Sequence, residues 1–184
     1  PIPLTERVVW LVVLDFVLVS HHFAAQHFGL LSLYRARAGR AFSPGTRRLD
    51  RWFALVVGGG FVVVAQALSG SIAFQERWID PWLGAVGSDL LARMLHDGGI
   101  ALVLVLTGLV LVAELRSGRP SLPRIAYVVG LAAMVLVAFV VRGPFVFIVM
   151  WSVQHWSAAM GLTSLAASGG EQAASTRWQR LLAP

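Results

Sequence analysis

The sequence predicts an all-α fold, a polytopic bundle of about five membrane-spanning helices. Of the 184 residues, 57% are hydrophobic and only 13% are charged, against roughly 25% charged in an ordinary soluble domain. The apolar residues form five runs, and a helix needs about 20 residues to cross a bilayer. The runs lack the alternation of polar and apolar residues that is typical of barrel strands. Helical spans are therefore the predicted structure.

The predicted spans differ in how clearly their ends are marked. They are residues 8–34, 52–74, 94–115, 125–141 and 145–167. The third run is short unless the polar pair His96 and Asp97 enters its helix. We assign residues 1–167 to one transmembrane domain and residues 168–184 to a cytoplasmic tail.

The arginines predict the orientation of the spans. All 15 basic residues are arginine. Connection 35–51 carries six of them against the single acid Asp50, and connection 114–124 carries three against Glu114. Because basic loops stay in the cytoplasm, both connections are predicted there. The arginines flank apolar runs, so the predicted partner is the lipid bilayer and not nucleic acid.

Two consequences follow for the remaining segments. The N-terminus then lies outside, and the absence of an initiator Met predicts processing or an upstream segment. The second connection, residues 77–93, also lies outside. Its tryptophans Trp78 and Trp82 predict an interfacial helix or re-entrant turn, as an interface anchor or as a lid over a site. Gly58-Gly59-Gly60 predicts a bend or a close helix approach.

Ionisable residues inside predicted spans are costly and indicate function or helix contacts. The chain has no cysteine, which excludes disulfides, thiolate metal sites and Fe–S clusters. All five histidines lie in predicted spans: His21, His22, His27, His96 and His155. At 3.6 residues per turn, Asp15, His22 and Gln26 share one face of the first helix, whereas His21 and His27 point away from it.

These residues define a candidate metal site. His22 and His155 are predicted near mid-membrane, with Asp15 and His96 above them. Imidazole and carboxylate ligands together suit iron. His27, which can face His155, and Trp151, which can wall a flat molecule, are candidate cofactor contacts. The alternative is that each histidine is a hydrogen-bonded packing residue.

One stretch of the first helix resembles a known family. Residues His22, Gln26, Gly29 and Tyr34-Arg35, with Gln154-His155 near the end, resemble poorly characterised bacterial polytopic membrane proteins. These are distantly similar to the Brp/Blh-type carotenoid-cleaving membrane oxygenases. The resemblance implies a helical bundle that holds non-haem iron through several histidines, here His22, His96 and His155 with His27 or His21. This chain has fewer predicted spans than that family.

Three hypotheses follow for the function. The first is a non-haem iron oxygenase that acts on a lipid-soluble substrate such as a carotenoid. The second is an electron-transfer or anchor subunit that holds b-type haem between two histidines. The third is a non-catalytic subunit, pigment-binding or structural, of a larger membrane complex with other membrane subunits.

Overall fold

The structure is a computed structural model that describes most of the first 141 residues. The described residues are 4–38, 43–69, 75–118, 120–141, 149, 151–153, 155 and 156. They are all-α, with no strand among them, which confirms the all-α part of the predicted fold class. The bundle of five spans stays a prediction. The chain forms two compact units, Pro1–Pro144 and Phe145–Pro184. The predicted tail, most of the fifth predicted span and the connection before it lie outside the described residues.

Helix α1 spans Leu4–Arg37 and extends the predicted span 8–34 at both ends. Its 34 residues correspond to a length of about 50 Å. Ala24, Leu30 and Leu31 on one face are buried, whereas Leu11 and Leu18 on another are exposed. The helix therefore packs on the rest of its unit through one face only.

Helix α2 spans Pro44–Phe53 and lies almost entirely in connection 35–51, which was predicted to be a cytoplasmic loop because of its arginines. Ser43 caps it, since the Ser43 hydroxyl accepts a hydrogen bond from the Thr46 amide at 3.2 Å, and Pro44 occupies the first turn. Both are ordinary helix-start signals. The helix buries Asp50 and Phe53 and exposes its arginines, so it is strongly amphipathic.

Residues 52–69, the described part of the predicted span 52–74, do not form one continuous helix. A π-helical turn spans Ala54–Gly58 and is capped by Gly59. Helix α3 follows and spans Phe61–Ser69. Gly60 has a φ of 66°, which a helix cannot accommodate and which glycine adopts without strain. The glycine run therefore bends the chain, as predicted.

The same run brings the chain close to α1. A Cβ added at Gly58 would lie 2.6 Å from the His27 ring, and one at Gly59 would lie 2.7 Å from the Ser20 carbonyl oxygen. Only hydrogen fits at these positions. The predicted close approach is thus confirmed together with the predicted bend.

Helix α4 spans Asp80–Leu115 and is preceded by a π-helical turn at Gln75–Ile79. The helix that contains the third predicted span, 94–115, therefore begins well before residue 94. The second connection is itself helical. Gly84, with a φ of 69°, kinks the helix. The Ser88 hydroxyl donates to the Gly84 carbonyl at 3.0 Å and stabilises the kink. Trp82 in the short arm is 86% exposed, which suits an anchor better than a lid.

Helix α5 spans Leu122–Val141 and confirms the predicted helix at 125–141. Val128, Leu131, Val135 and Phe139 are buried along one face. A Cβ at Gly99 of α4 would lie 2.7 Å from the Phe139 ring, so the glycine lets these two helices pack closely.

Two helical stretches of the described chain are long and apolar enough to cross a membrane, Gln75–Leu115 and Leu122–Val141. Of their most apolar 18-residue windows, only 22% and 39% are buried within the protein. A core helix of a soluble protein is mostly buried instead. These two helices therefore suggest a membrane protein.

Candidate functional site

The polar face predicted for α1 is present. Asp15 and His22 are exposed, and the Gln26 side-chain nitrogen lies 2.9 Å from Nε2 of His22. His27 points away from this face, as predicted, and is 1% exposed. We call Asp15, His22 and Gln26 the α1 stripe. It is surrounded by exposed apolar side chains, since Leu11, Leu14 and Leu18 are 64%, 53% and 60% exposed.

Of the predicted metal ligands, Asp15, His22 and His96 lie in the first unit. No group of three His, Asp or Glu side chains in the described part of the chain is placed to hold a metal ion. The His96 ring packs against Phe139 instead, with ring centroids 5.6 Å apart. Its Nδ1 atom is buried and has no hydrogen-bond partner among the described residues. Asp15, His22 and His96 therefore do not form the predicted site by themselves.

His155 and Trp151 belong to the second unit. Trp151 is 3% exposed, and the His155 ring meets the Trp156 ring edge-on with centroids 5.9 Å apart. A joint site of His22 and His155 stays a prediction.

Four charged side chains meet at one end of the first unit, and we call them the charge cluster: Arg35 of α1, Asp50 of α2, Glu114 of α4 and Arg124 of α5. Arg35 donates to Asp50 at 3.1 Å, and Arg124 donates to the other oxygen of Asp50 at 2.5 Å. Arg124 also donates to Glu114. Arg35 is 5% exposed and the other three are 1% exposed.

The charge cluster is electrically balanced, with two guanidinium groups and two carboxylates. Burial raises the pKa of Asp50 above its ordinary value, while the charges of Arg124 and Arg35 and their hydrogen bonds oppose that rise. Glu114 also accepts the Ser121 amide at 2.7 Å, just before α5 begins. The cluster therefore joins four of the five helices, α1, α2, α4 and α5, and closes the loop between α4 and α5.

A second polar contact lies inside the bundle, one helical turn along α5 from Arg124. Nδ1 of His27 is hydrogen-bonded to the Tyr127 hydroxyl. The Tyr34 and Tyr127 rings lie 5.7 Å apart between centroids, which places Tyr34 beside this pair. His27, predicted as a cofactor contact, is thus engaged in hydrogen bonding and packing, in agreement with the alternative interpretation.

Sequence reasoning missed the charge cluster because it treated both connections as solvated loops. The signal was nevertheless visible, since each arginine-rich connection holds one acid, Asp50 or Glu114. The predicted topology places these two connections on the same side of the membrane. The contact between Asp50 and Arg124 shows that they do meet at one end of the unit.

The comparisons with known proteins give no family for this chain. No protein-family model, no curated protein and no solved structure matches it.

Proposed function

We propose that this chain is a multi-span integral membrane protein of a bacterial inner membrane and acts as a non-catalytic subunit of a larger membrane complex. In this proposal the α1 stripe is the contact to a further transmembrane helix. The observation that carries it is the exposure of Asp15 and His22 on an otherwise apolar helix face.

The exposed apolar side chains support the membrane part of the proposal. Large hydrophobic residues are exposed along α4 and α5 as well as α1, among them Leu104, Val105, Val137 and Val140. Soluble proteins rarely leave apolar areas of this extent facing water. In a bilayer these faces contact lipid. The five predicted spans, with the basic connections in the cytoplasm, complete this topology.

The α1 stripe supports the subunit part. Arg35, at the end of α1, is thirteen residues from His22, which puts His22 about 20 Å along the helix and within the bilayer. An ionisable side chain that faces lipid inside a span is costly. Contact with a polar group of another helix lowers that cost. We therefore expect the α1 stripe to face protein and not lipid.

A cofactor site is the second candidate, and the hydrogen bond between Gln26 and His22 favours it. A histidine ligand commonly binds through one ring nitrogen while a hydrogen bond to its other ring nitrogen holds the ring in place. In this candidate His22 would supply one histidine ligand of a b-type haem from the first unit. The described residues do not supply the larger ligand set of a non-haem iron oxygenase, so we derive no carotenoid-cleaving step from them.

The test compares the native mass of the wild-type protein with that of two variants, each extracted in mild detergent from its own membranes. We expect the wild-type chain to migrate well above the 19.9 kDa of one chain plus its bound detergent. The double variant Asp15→Leu/His22→Leu should migrate as a single chain, whereas Leu104→Ala, on an exposed face of α4, should leave the complex intact. A wild-type protein that is monomeric and carries a Soret absorption band would favour the haem candidate instead.

A further inference from the structure

The exposed side of α2 is a strongly basic surface. Arg47, Arg48 and Arg51 are exposed on it, and Trp52, 52% exposed, lies beside them. Positions 47, 48, 51 and 52 are neighbours on one side of a helix. The opposite side, with Asp50 and Phe53, is buried against the bundle. We call these four exposed residues the basic face of α2.

The charge of the basic face is not neutralised within the described chain. Asp50 is the one acid of α2, and it is buried and paired with Arg35 and Arg124. No ion pair of Arg47, Arg48 or Arg51 occurs among the described residues. The buried pairing of Asp50 thus removes the only local carboxylate and leaves three positive charges for an external anion.

The surroundings place this charge at the edge of the apolar bundle. The Arg51 guanidinium lies over the Phe28 ring of α1, 5.5 Å from its centroid. Phe28 lies nine residues before the end of α1, so Arg51 extends along the apolar helix and not away from it. Tryptophan at the edge of an apolar zone is typical of the headgroup region of a membrane.

We propose that the basic face of α2 binds the phosphate groups of anionic phospholipids in the cytoplasmic leaflet. This inference rests on the proposed function, because it requires that the chain span the membrane. Guanidinium groups bind phosphate through paired hydrogen bonds, and two or three of them on one short helix match a lipid with more than one phosphate. Basic residues next to membrane spans attract anionic lipid by roughly 1 kcal/mol each, about fivefold in affinity.

The test measures binding of fluorescent cardiolipin to the detergent-purified full chain. The variant is Arg47→Gln/Arg48→Gln. The matched control is Arg77→Gln/Arg93→Gln, which removes the same charge from two exposed arginines outside α2, one in the turn before α4 and one in α4. We expect the variant to bind cardiolipin about 25-fold more weakly, the control to bind as the wild type does, and phosphatidylcholine not to compete. Inorganic phosphate at the same concentration as the lipid should not displace cardiolipin.

Equal weakening in the variant and the control would overturn the inference and leave only general charge attraction. Equal competition by phosphatidylcholine would overturn it too, and displacement by inorganic phosphate would reassign the basic face to a free anion. Equal unfolding temperatures of the variant and the wild type in phosphatidylcholine micelles show that the variant is folded. Extraction of the chain from membranes by alkaline carbonate would refute the proposed function itself. Retention in the membrane without cardiolipin selectivity would refute this inference alone.

Discussion

Two groups of ionisable residues in the first unit share helix α1 and have opposite surroundings. The charge cluster lies at its end, where Arg35 meets Asp50 and all four charges are buried and paired. The α1 stripe lies further along the same helix, where Asp15 and His22 are exposed among leucines. One group is buried within the described chain, and the other is exposed.

The difference separates charges that build the fold from charges that serve a contact. A buried pair that loses one partner leaves an uncompensated charge, so the charge cluster must be complete for the helices to meet. An exposed polar residue on an apolar face contributes little to its own unit. We therefore assign the charge cluster to stability and the α1 stripe to function.

Removal of Arg124 should produce the largest effect. Arg124→Met leaves Asp50 and Glu114 buried without their shared partner, and we expect a loss of about 3–5 kcal/mol in the free energy of unfolding. Asp50→Asn should cost less, since burial already raises the pKa of Asp50 and disfavours its charged form. Denaturant titration of the detergent-purified protein measures both. Arg93→Gln, in an exposed pair with Asp89, is the control and should change the free energy by no more than about 1 kcal/mol.

Closing the space between α1 and the glycine run should be the next most severe change. Gly58→Val places a side chain where the His27 ring lies, and overpacking of this kind costs about 1–3 kcal/mol. Gly29→Ala on the same helix as His27 meets no atom within 4 Å. It should stabilise α1 slightly, because alanine favours a helix over glycine by about 1 kcal/mol. Similar unfolding temperatures for the two variants would contradict the close approach.

The hydrogen bond inside the bundle should contribute a smaller amount. Tyr127→Phe removes the hydroxyl that is bonded to His27, and a single hydrogen bond of this type contributes about 1 kcal/mol. Tyr34→Phe is the matched control, because only a ring contact is found for the Tyr34 side chain among the described residues. We expect the control to lie within about 0.5 kcal/mol of the wild type. The two variants are compared in the same denaturant titration.

Substitutions in the α1 stripe should have the smallest effect on stability. Asp15→Leu and His22→Leu remove exposed groups, and we expect changes within about 0.5 kcal/mol in the purified single chain. A loss as large as that of Arg124→Met would show that the α1 stripe also builds the fold. The comparison between the two groups of charges would then fail.

Sequence reasoning predicted α1, α5 and the later part of α4 from their apolar runs, and the shared face of Asp15, His22 and Gln26 from helical spacing. It did not predict α2, which lies in a predicted connection. It did not predict the break at Gly60 as a helix end, because three glycines suit a bend and a close approach equally. It also missed Arg124 and Asp50 as buried residues. Their pairing joins positions 74 residues apart, and spacing along a helix carries no information about contacts between distant connections.

The predicted metal site also depends on contacts between distant segments, which spacing along one helix does not predict. His22 and His96 are both plausible ligands by composition and depth. The structure instead places the His96 ring against Phe139 and exposes His22 on α1. Which faces of different helices meet depends on tertiary packing, and only local spacing could be used to predict the site.

Photo-cross-linking from α1 in native membranes tests the central claim most directly. A photoreactive amino acid at Leu18, 60% exposed between Asp15 and His22, probes the α1 stripe, and one at Leu104, 54% exposed on α4, is the control. We predict that Leu18 forms a cross-link to a second polypeptide, seen as a band of higher mass, and that Leu104 forms none. Cross-links from Leu18 to lipid alone, with the same yield as from Leu104, would contradict the proposed subunit contact.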